Sequence, residues 1–342
     1  MEPNATPAKM LQQLHETLAA GVIAAPASLR LVLVSLLARG HLLLEDVPGV
    51  GKTTLAKRLA ALVTVPFKRV QATPDLTPTD LIGSSHYDSK TDSQRFTPGP
   101  LFTSFLLLDE LNRASPRTQA ALLEAMGENT VTQERKTRPL PETFWVIATQ
   151  NPVEFIGTYP LAEAQLDRFF MRLHLGYPSP NEEVKILLMA QRRQEAPMPV
   201  LNEESLIKLQ ALVSRVKLDS KILEYIARLA AASREHPRLR LGASPRASID
   251  LMRACQALAL ISGQSFVTPP MVAELIKPIW GHRLVLRQAG ERVETILDDI
   301  LLKTAAPAMP KEQQAPAKEG ARGVKEPRAT PKASDADGVD EY

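Results

Sequence analysis

Two glycines, a lysine and a threonine follow one another closely in EDVPGVGKTTLAK, residues 45–57. Glycine lets a backbone pass close to a phosphate. A lysine neutralises its charge, and a helix beginning there turns its free amides and positive dipole end toward the same anion. The stretch therefore reads as a nucleotide phosphate loop. Gly49 and Gly51 give the close approach, with Pro48, Val50 and Thr54 completing the loop. Lys52 would meet the β- and γ-phosphates, and Thr53 would offer its hydroxyl to Mg²⁺. The usual spacing, G-x-x-x-x-G-K-[ST], asks for glycine where Asp46 stands. That position closes the preceding strand, where a side chain fits, so the departure leaves the phosphate-facing positions untouched.

A second group lies at SFLLLDE, 104–110. Phe105, Leu106, Leu107 and Leu108 make a short buried strand that would deliver Asp109 and Glu110 to one edge of a sheet. Asp109 suits a metal, usually through its water, and Glu110 suits an attacking water. Alone, the run also reads as a strand ending in a solvated acidic turn. FWVIATQNP, 144–152, ends another strand in polar residues. Asn151 there is either a water- or phosphate-binding amide or half of a strand-ending Asn-Pro turn, and Thr149 and Gln150 are weaker candidates. Arg168, in AEAQLDRFF, and Arg246, in RLGASPRAS, could each meet a phosphate. Taken singly, each reads better as a solvated surface arginine.

These residues need a scaffold, and the pattern around them supplies one. Strands are expected at 41–45, 67–72, 104–110, 144–150 and 169–175, with helices over 52–63 and 115–129, the latter with Ser115 as N-cap and Pro116 at its first position. Alternation of strand and helix predicts an α/β core with a parallel sheet. Ahead of it lie two helical segments between residues 10 and 38. The polar, turn-rich segment 73–100 reads as surface, and 129–142 as a hairpin. After GYPSPNEE (176–183) the pattern is helical throughout, at 201–213, 220–235, 244–263 and 267–286. The expected organisation is N-terminal helices over 1–39, a nucleotide-binding core over 40–179, a helical lid over 180–302 and a charged tail over 303–342. The tail mixes both charges with alanine, proline and glycine, which is too little apolar area to offset ordering entropy.

With 41 basic and 38 acidic residues, the chain is too evenly charged to argue for nucleic acid. Its single cysteine, Cys255, excludes an internal disulfide framework and fits a reducing compartment. The apolar run 29–45 is broken by Arg39 and Gly40 before it could span a bilayer, and MEPNATPAKM lacks the basic and apolar regions of a signal peptide. A cytoplasmic protein is expected, reaching a membrane only as a surface or through a partner.

Taken together, EDVPGVGKT (45–53), LLLDELNRASPRTQAALLEAM (106–126), ATQNPVEFIGTYPLAEAQLDRF (148–169) and LGASPRA (241–247) resemble the MoxR-type AAA+ ATPases over about residues 10–302. Aspartate in place of the first glycine is usual in that group. The resemblance implies an ATP- and Mg²⁺-dependent ATPase with a P-loop core and a helical lid. Lys52 and Thr53 would belong to the Walker A loop, and Asp109 and Glu110 would be the Walker B pair. Asn151 would be sensor 1. Arg168 would be an arginine finger acting on a neighbouring subunit's ATP, and Arg246 a sensor 2 residue touching its own subunit's γ-phosphate. It further implies a homo-oligomer, commonly a hexameric ring, that remodels or matures protein clients alongside a von Willebrand factor A domain protein. Loops 83–99 and 129–142, with Arg135, Lys136 and Arg138, would face a client or would be ordinary surface hairpins. Two rival readings stay open on sequence. A nucleic-acid motor would show a basic stripe or a helix-turn-helix, and neither is found. A non-hydrolysing scaffold would not need both acids and Asn151.

Overall fold

Two helices precede the first strand, α1 (Pro7–Ala19) and α2 (Pro26–Leu37), and each opens on a proline. Proline's fixed φ suits a first helical turn, and its missing N–H costs nothing there. The computed structural model describes residues 6–47, 49–88, 92–151, 157–191, 197–288 and 290–308. α1 buries Leu11, Leu14 and Leu18 along one stripe. α2 is apolar almost all round, as an interior helix must be, and packs against α1 and later helices.

β1 (Leu42–Glu45) leads into α3 (Lys52–Val63), β2 (Phe67–Gln71) and a short helix, α4 (Pro78–Ile82). A hairpin of β3 (Gly83–Asp88) and β4 (Ser93–Pro98) follows, then β5 (Phe105–Asp109) and α5 (Pro116–Glu128). A second hairpin, β6 (Thr130–Gln133) and β7 (Lys136–Pro139), precedes β8 (Trp145–Gln150), α6 (Glu163–Leu166) and β9 (Met171–Leu173). Five strands form one parallel sheet in the order β2-β5-β8-β1-β9. Every residue of β5 is buried, as expected of a strand covered on both faces. β2 lies at the sheet edge and is largely exposed, which tolerates Lys68, Arg69 and Gln71. Leu43, Leu106, Leu108, Val146 and Ala148 pack with Leu122, Leu123 and Met126 of α5. All five strands finish at one sheet edge, and in parallel α/β sheets that edge is where ligands bind.

α5 starts as its sequence predicts. The Ser115 hydroxyl accepts the Thr118 amide, and Pro116 opens the helix. The segment 73–100 is more regular than its polar composition suggests. A reciprocal cap between Thr77 and Asp80 starts α4, and β3 and β4 pair antiparallel. The two hairpins meet where the Arg138 guanidinium lies 3.8 Å above the Phe96 ring.

Beyond the sheet come α7 (Pro180–Gln191), α8 (Glu203–Val213), α9 (Ser220–Glu235), β10 (Leu239–Leu241), α10 (Pro245–Ile261), α11 (Pro269–Trp280), β11 (Val285–Leu286) and α12 (Val293–Lys303). Asn202, Asp219 and Ser244 each accept a backbone amide at the start of α8, α9 and α10. The helical pattern read from sequence is interrupted by one antiparallel ribbon, β10 with β11. Its cause is the alternation in LRL after His236 and Pro237, where a helix has already ended. Cys255 is buried in α10, and burial pushes its thiol up, away from reactivity. Among the described residues no helix is long and apolar enough to cross a membrane. The charged tail lies outside the described residues beyond Ala308.

Candidate active site

β1 ends at Glu45, and the chain turns sharply before α3 begins at Lys52. Gly49 and Gly51 both take φ of 88°, a left-handed conformation that other residues rarely adopt. A Cβ on either glycine would stand in open space, so conformation and not crowding selects glycine, and the loop keeps an open cradle. Thr53 and Thr54 line the same cleft, while Pro48 lies outside the described residues. Lys52 donates from Nζ to the Asp46 carbonyl at 2.7 Å. Burial lowers the Lys52 pKa, opposed by the charges of Asp46, Asp109 and Glu110. An incoming anion would reinforce the charged form.

Asp46 takes up the role its position allows. Its carboxylate accepts the Leu175 amide at 2.5 Å and the Gly176 amide at 3.2 Å, while its own amide donates to the Gln150 carbonyl. The side chain thereby ties the start of the loop to the chain leaving β9.

β5 brings Asp109 to the cleft. Glu110 follows in a left-handed backbone conformation, φ 56° and ψ 47°, which turns the chain out of the strand. Thr149, at the end of β8, joins the two acids. Its hydroxyl accepts the Glu110 amide at 2.9 Å and donates to Asp109 Oδ1 at 3.3 Å. Arg69 donates from Nε to Asp109 Oδ2 at 2.7 Å, and Arg113 pairs with Glu110 at 3.0 Å. Gly49, Gly51, Lys52, Thr53, Thr54, Asp109, Glu110 and Asn151 thus converge on one cleft of about 360 Å³, with Arg69, Gln71 and Thr149. Among the described residues no group of three or more His, Cys, Asp or Glu side chains could cage a metal. One hydroxyl, Thr53, and one carboxylate, Asp109, fit Mg²⁺ held mostly by phosphates and water.

Val50 lies instead in an adjoining apolar cleft of about 220 Å³, shared with Val22, Ile23, Pro178, Ile186 and Met189. It abuts the glycines of the loop and has the character of a site for a flat heteroaromatic ring. Sequence reasoning missed it because its walls come from three distant segments. The one local signal is the apolar AGVI (20–23) directly after the first helix.

The two arginines read from sequence stand elsewhere. Arg168 donates to the Leu123 carbonyl of α5 at 2.6 Å and does not line the cleft. The resemblance places Arg246 on its own chain's γ-phosphate, whereas here Arg246 is not among the residues lining the cleft. Arg246 is exposed in the first turn of α10, where its charge acts on His41, immediately before β1. The phosphate loop leaves the opposite end of that strand. Docking of α10 sets the displacement. The Ser244 hydroxyl donates to Asp167 at 3.2 Å, and buried Arg283 bonds Asp250 of α10 at 2.7 Å and the Phe169 carbonyl at 2.6 Å. The start of α10 is thereby pinned beside the segment that carries Arg168.

Comparison with known proteins identifies the fold that carries this cleft. The sequence profile for the ATPase family associated with various cellular activities (AAA) matches residues 41–171, and that for the AAA lid domain matches residues 231–300. The uncharacterized protein YeaC of Bacillus subtilis is 46% identical over 283 residues, spanning 81% of this chain and 88% of its own. Chaperone MoxR1 of Mycobacterium tuberculosis is 40% identical over 287 residues, 80% of this chain and 76% of its own. A crystal structure from Cytophaga hutchinsonii superposes with a TM-score of 0.83 at 32% identity, covering 88% of this chain and 96% of that one.

Proposed function

The chain belongs to the AAA family of ATPases, and from that premise we propose that it is a MoxR-type member that hydrolyses ATP to ADP and phosphate to remodel or mature protein complexes. The convergence of Gly49, Gly51, Lys52, Thr53, Asp109, Glu110 and Asn151 on one cleft carries this reading. The backbone at Gly49 and Gly51 and the start of α3 hold the phosphates, and Lys52 neutralises them. The apolar cleft at Val22, Ile23 and Met189 takes the base. Thr53 and Asp109 would hold Mg²⁺, which would supply positive charge against the phosphates. Glu110 takes the proton of the attacking water, and Asn151 orients that water from β8.

Hydrolysis also needs positive charge on the departing phosphate. Arg168 and Arg246 stand away from their own cleft, beside each other's supporting segments. Both therefore serve a neighbour's nucleotide in a ring of identical subunits, hexameric in this reading. The relative named as a chaperone supports a protein client; a von Willebrand factor A domain companion and the cytoplasm as the working compartment complete the proposal. A nucleic-acid target finds no support in the balanced charge.

Turnover of ATP by the purified chain tests the chemistry. Glu110→Gln is expected to keep nucleotide binding while turnover falls at least about 100-fold. Unchanged turnover would remove Glu110 from its role. The same variant, loaded with ATP, is expected to retain its client in a pull-down and release it with ADP. Recovery of the same proteins with either nucleotide would sink the remodelling reading.

A further inference from the structure

β2 and β5 run parallel, with Arg69 opposite Leu107 and Gln71 opposite Asp109. Side chains two apart on a strand share a face, so Arg69 and Gln71 extend over the side on which Asp109 enters the cleft. Both line that cleft, and Arg69 Nη2 reaches Gln71 Oε1 at 3.4 Å. The Arg69 side chain is 45% exposed while Asp109 is 9% exposed, so the guanidinium covers the carboxylate from the solvent side. Among the described residues, Lys52 and Arg69 are the cationic side chains lining the cleft. Lys52 belongs to the phosphate loop. Arg168 and Arg246 do not line the cleft, which leaves Arg69 as this chain's own arginine there among the described residues.

An arginine paired with Asp109 competes with any cation that needs the same carboxylate. When Mg²⁺ occupies Asp109, the guanidinium loses its partner and faces a like charge. An arginine on an edge strand is free to swing, and a terminal phosphate offers the planar, two-point partner that a guanidinium favours. We propose that Arg69 is a further nucleotide-binding residue, paired with Asp109 in the nucleotide-free chain and exchanging that carboxylate for the terminal phosphate when Mg²⁺ and ATP bind. This rests on the ATPase reading above and adds to it a sensor for the third phosphate within the same subunit.

Equilibrium binding to the full chain separates the two readings. Titrations use a non-hydrolysable ATP analogue and ADP, each with Mg²⁺, on the parent chain, Arg69→Gln and Arg69→Lys. Arg69→Gln is expected to weaken the ATP analogue roughly 10- to 100-fold, the scale of a charge-assisted hydrogen bond. ADP affinity should change less than about 3-fold and so also reports that the variant folds. Arg69→Lys should recover part of the loss. At fixed nucleotide, half-saturation by Mg²⁺ should fall to lower concentration in Arg69→Gln, because the competing cation is gone. Equal losses for both nucleotides, no loss for either, or an unchanged Mg²⁺ requirement would overturn the proposal while leaving the ATPase reading intact. A parent chain that binds neither nucleotide would overturn both.

Discussion

The Asp46 carboxylate holds the Leu175 amide at 2.5 Å, joining the entry of the phosphate loop to the segment that leaves the sheet edge. The residue standing where the usual loop pattern has glycine is therefore a fastening between two segments. Asp46 is buried, and its second oxygen takes the Gly176 amide. Asp46→Ala leaves both amides without a partner, at about 1.5–3 kcal/mol for a charge-assisted bond. A loss of roughly 3 kcal/mol is expected in urea unfolding, with nucleotide affinity falling as the loop entry loosens. Asp46→Asn, which keeps an acceptor, should lose about half as much. A loss below about 0.5 kcal/mol for the alanine variant would show that water replaces the carboxylate freely.

Thr149 bears on chemistry more than on binding. Its hydroxyl accepts from the Glu110 amide and donates to Asp109, so it sets the geometry of the left-handed residue proposed to act on water. Thr149→Val keeps the shape and removes both bonds. The expectation is a turnover loss of about 10- to 100-fold, the cost of one buried amide left unpaired, with ADP affinity nearly unchanged. An equal loss in ADP affinity would mean that Thr149 only props up the cleft.

His41 makes the fold sensitive to acid. Its Nδ1 accepts the Val146 amide at 3.1 Å and its Nε2 lies 3.2 Å from the Met126 carbonyl, an arrangement that holds the neutral ring with the proton on Nε2. Burial lowers its pKa from 6.5 to about 4, the Met126 bond opposes this, and Arg246 adds to it. Below pH 6.5 the unfolded chain therefore takes up a proton that the folded chain refuses. Stability falls with pH through that window and levels off below about 4. The full loss from this residue is roughly 3 kcal/mol. His282, also buried with its pKa well lowered, adds to the slope, while Asp250, whose carboxyl is raised by burial, opposes it. Urea midpoints at pH 7.5, 6 and 4.5 should drop less for His41→Gln than for the parent. Parallel curves would exclude His41 as the source.

How far these features are legible in sequence depends on how local they are. Gly49 to Thr53 and Asp109 with Glu110 are continuous runs at strand ends, so their types and spacing carry the reading. Arg69 escapes, because in FKRVQA its charge reads as the exposed side of an edge strand, and only pairing of β2 with β5 brings it to Asp109. The β3–β4 hairpin is half legible: 83–99 reads as a loop or surface hairpin, but its strands, such as SQRFTP, present polar residues on both faces and show no alternation to fix their bounds. Arg246 is identified as a residue at a helix start, yet the end of the sheet it reaches is fixed by Ser244, Asp250 and Arg283, contacts made across long stretches of chain.

Placement of Arg168 and Arg246 away from their own cleft leads to a prediction about assembly. On the proposed function, a subunit lacking Lys52 loses its hold on ATP but still offers both arginines. A subunit lacking Arg168 holds ATP but offers its neighbour an incomplete set. Lys52→Ala and Arg168→Ala chains should each turn over ATP at least about 100-fold more slowly than the parent, the lower range of what a missing transition-state arginine costs. Mixed before assembly, they create junctions at which an intact cleft meets an intact Arg168, so activity should rise to a fixed fraction set by the mixing ratio. Arg246→Ala mixed with Lys52→Ala should recover in the same way, since Arg246 shares the location. Recovery with Arg168→Ala alone would separate the two arginines and return Arg246 to a role within its own chain's lid. No recovery in either mixture, in the presence of confirmed mixed rings, would mean that neither arginine acts across an interface.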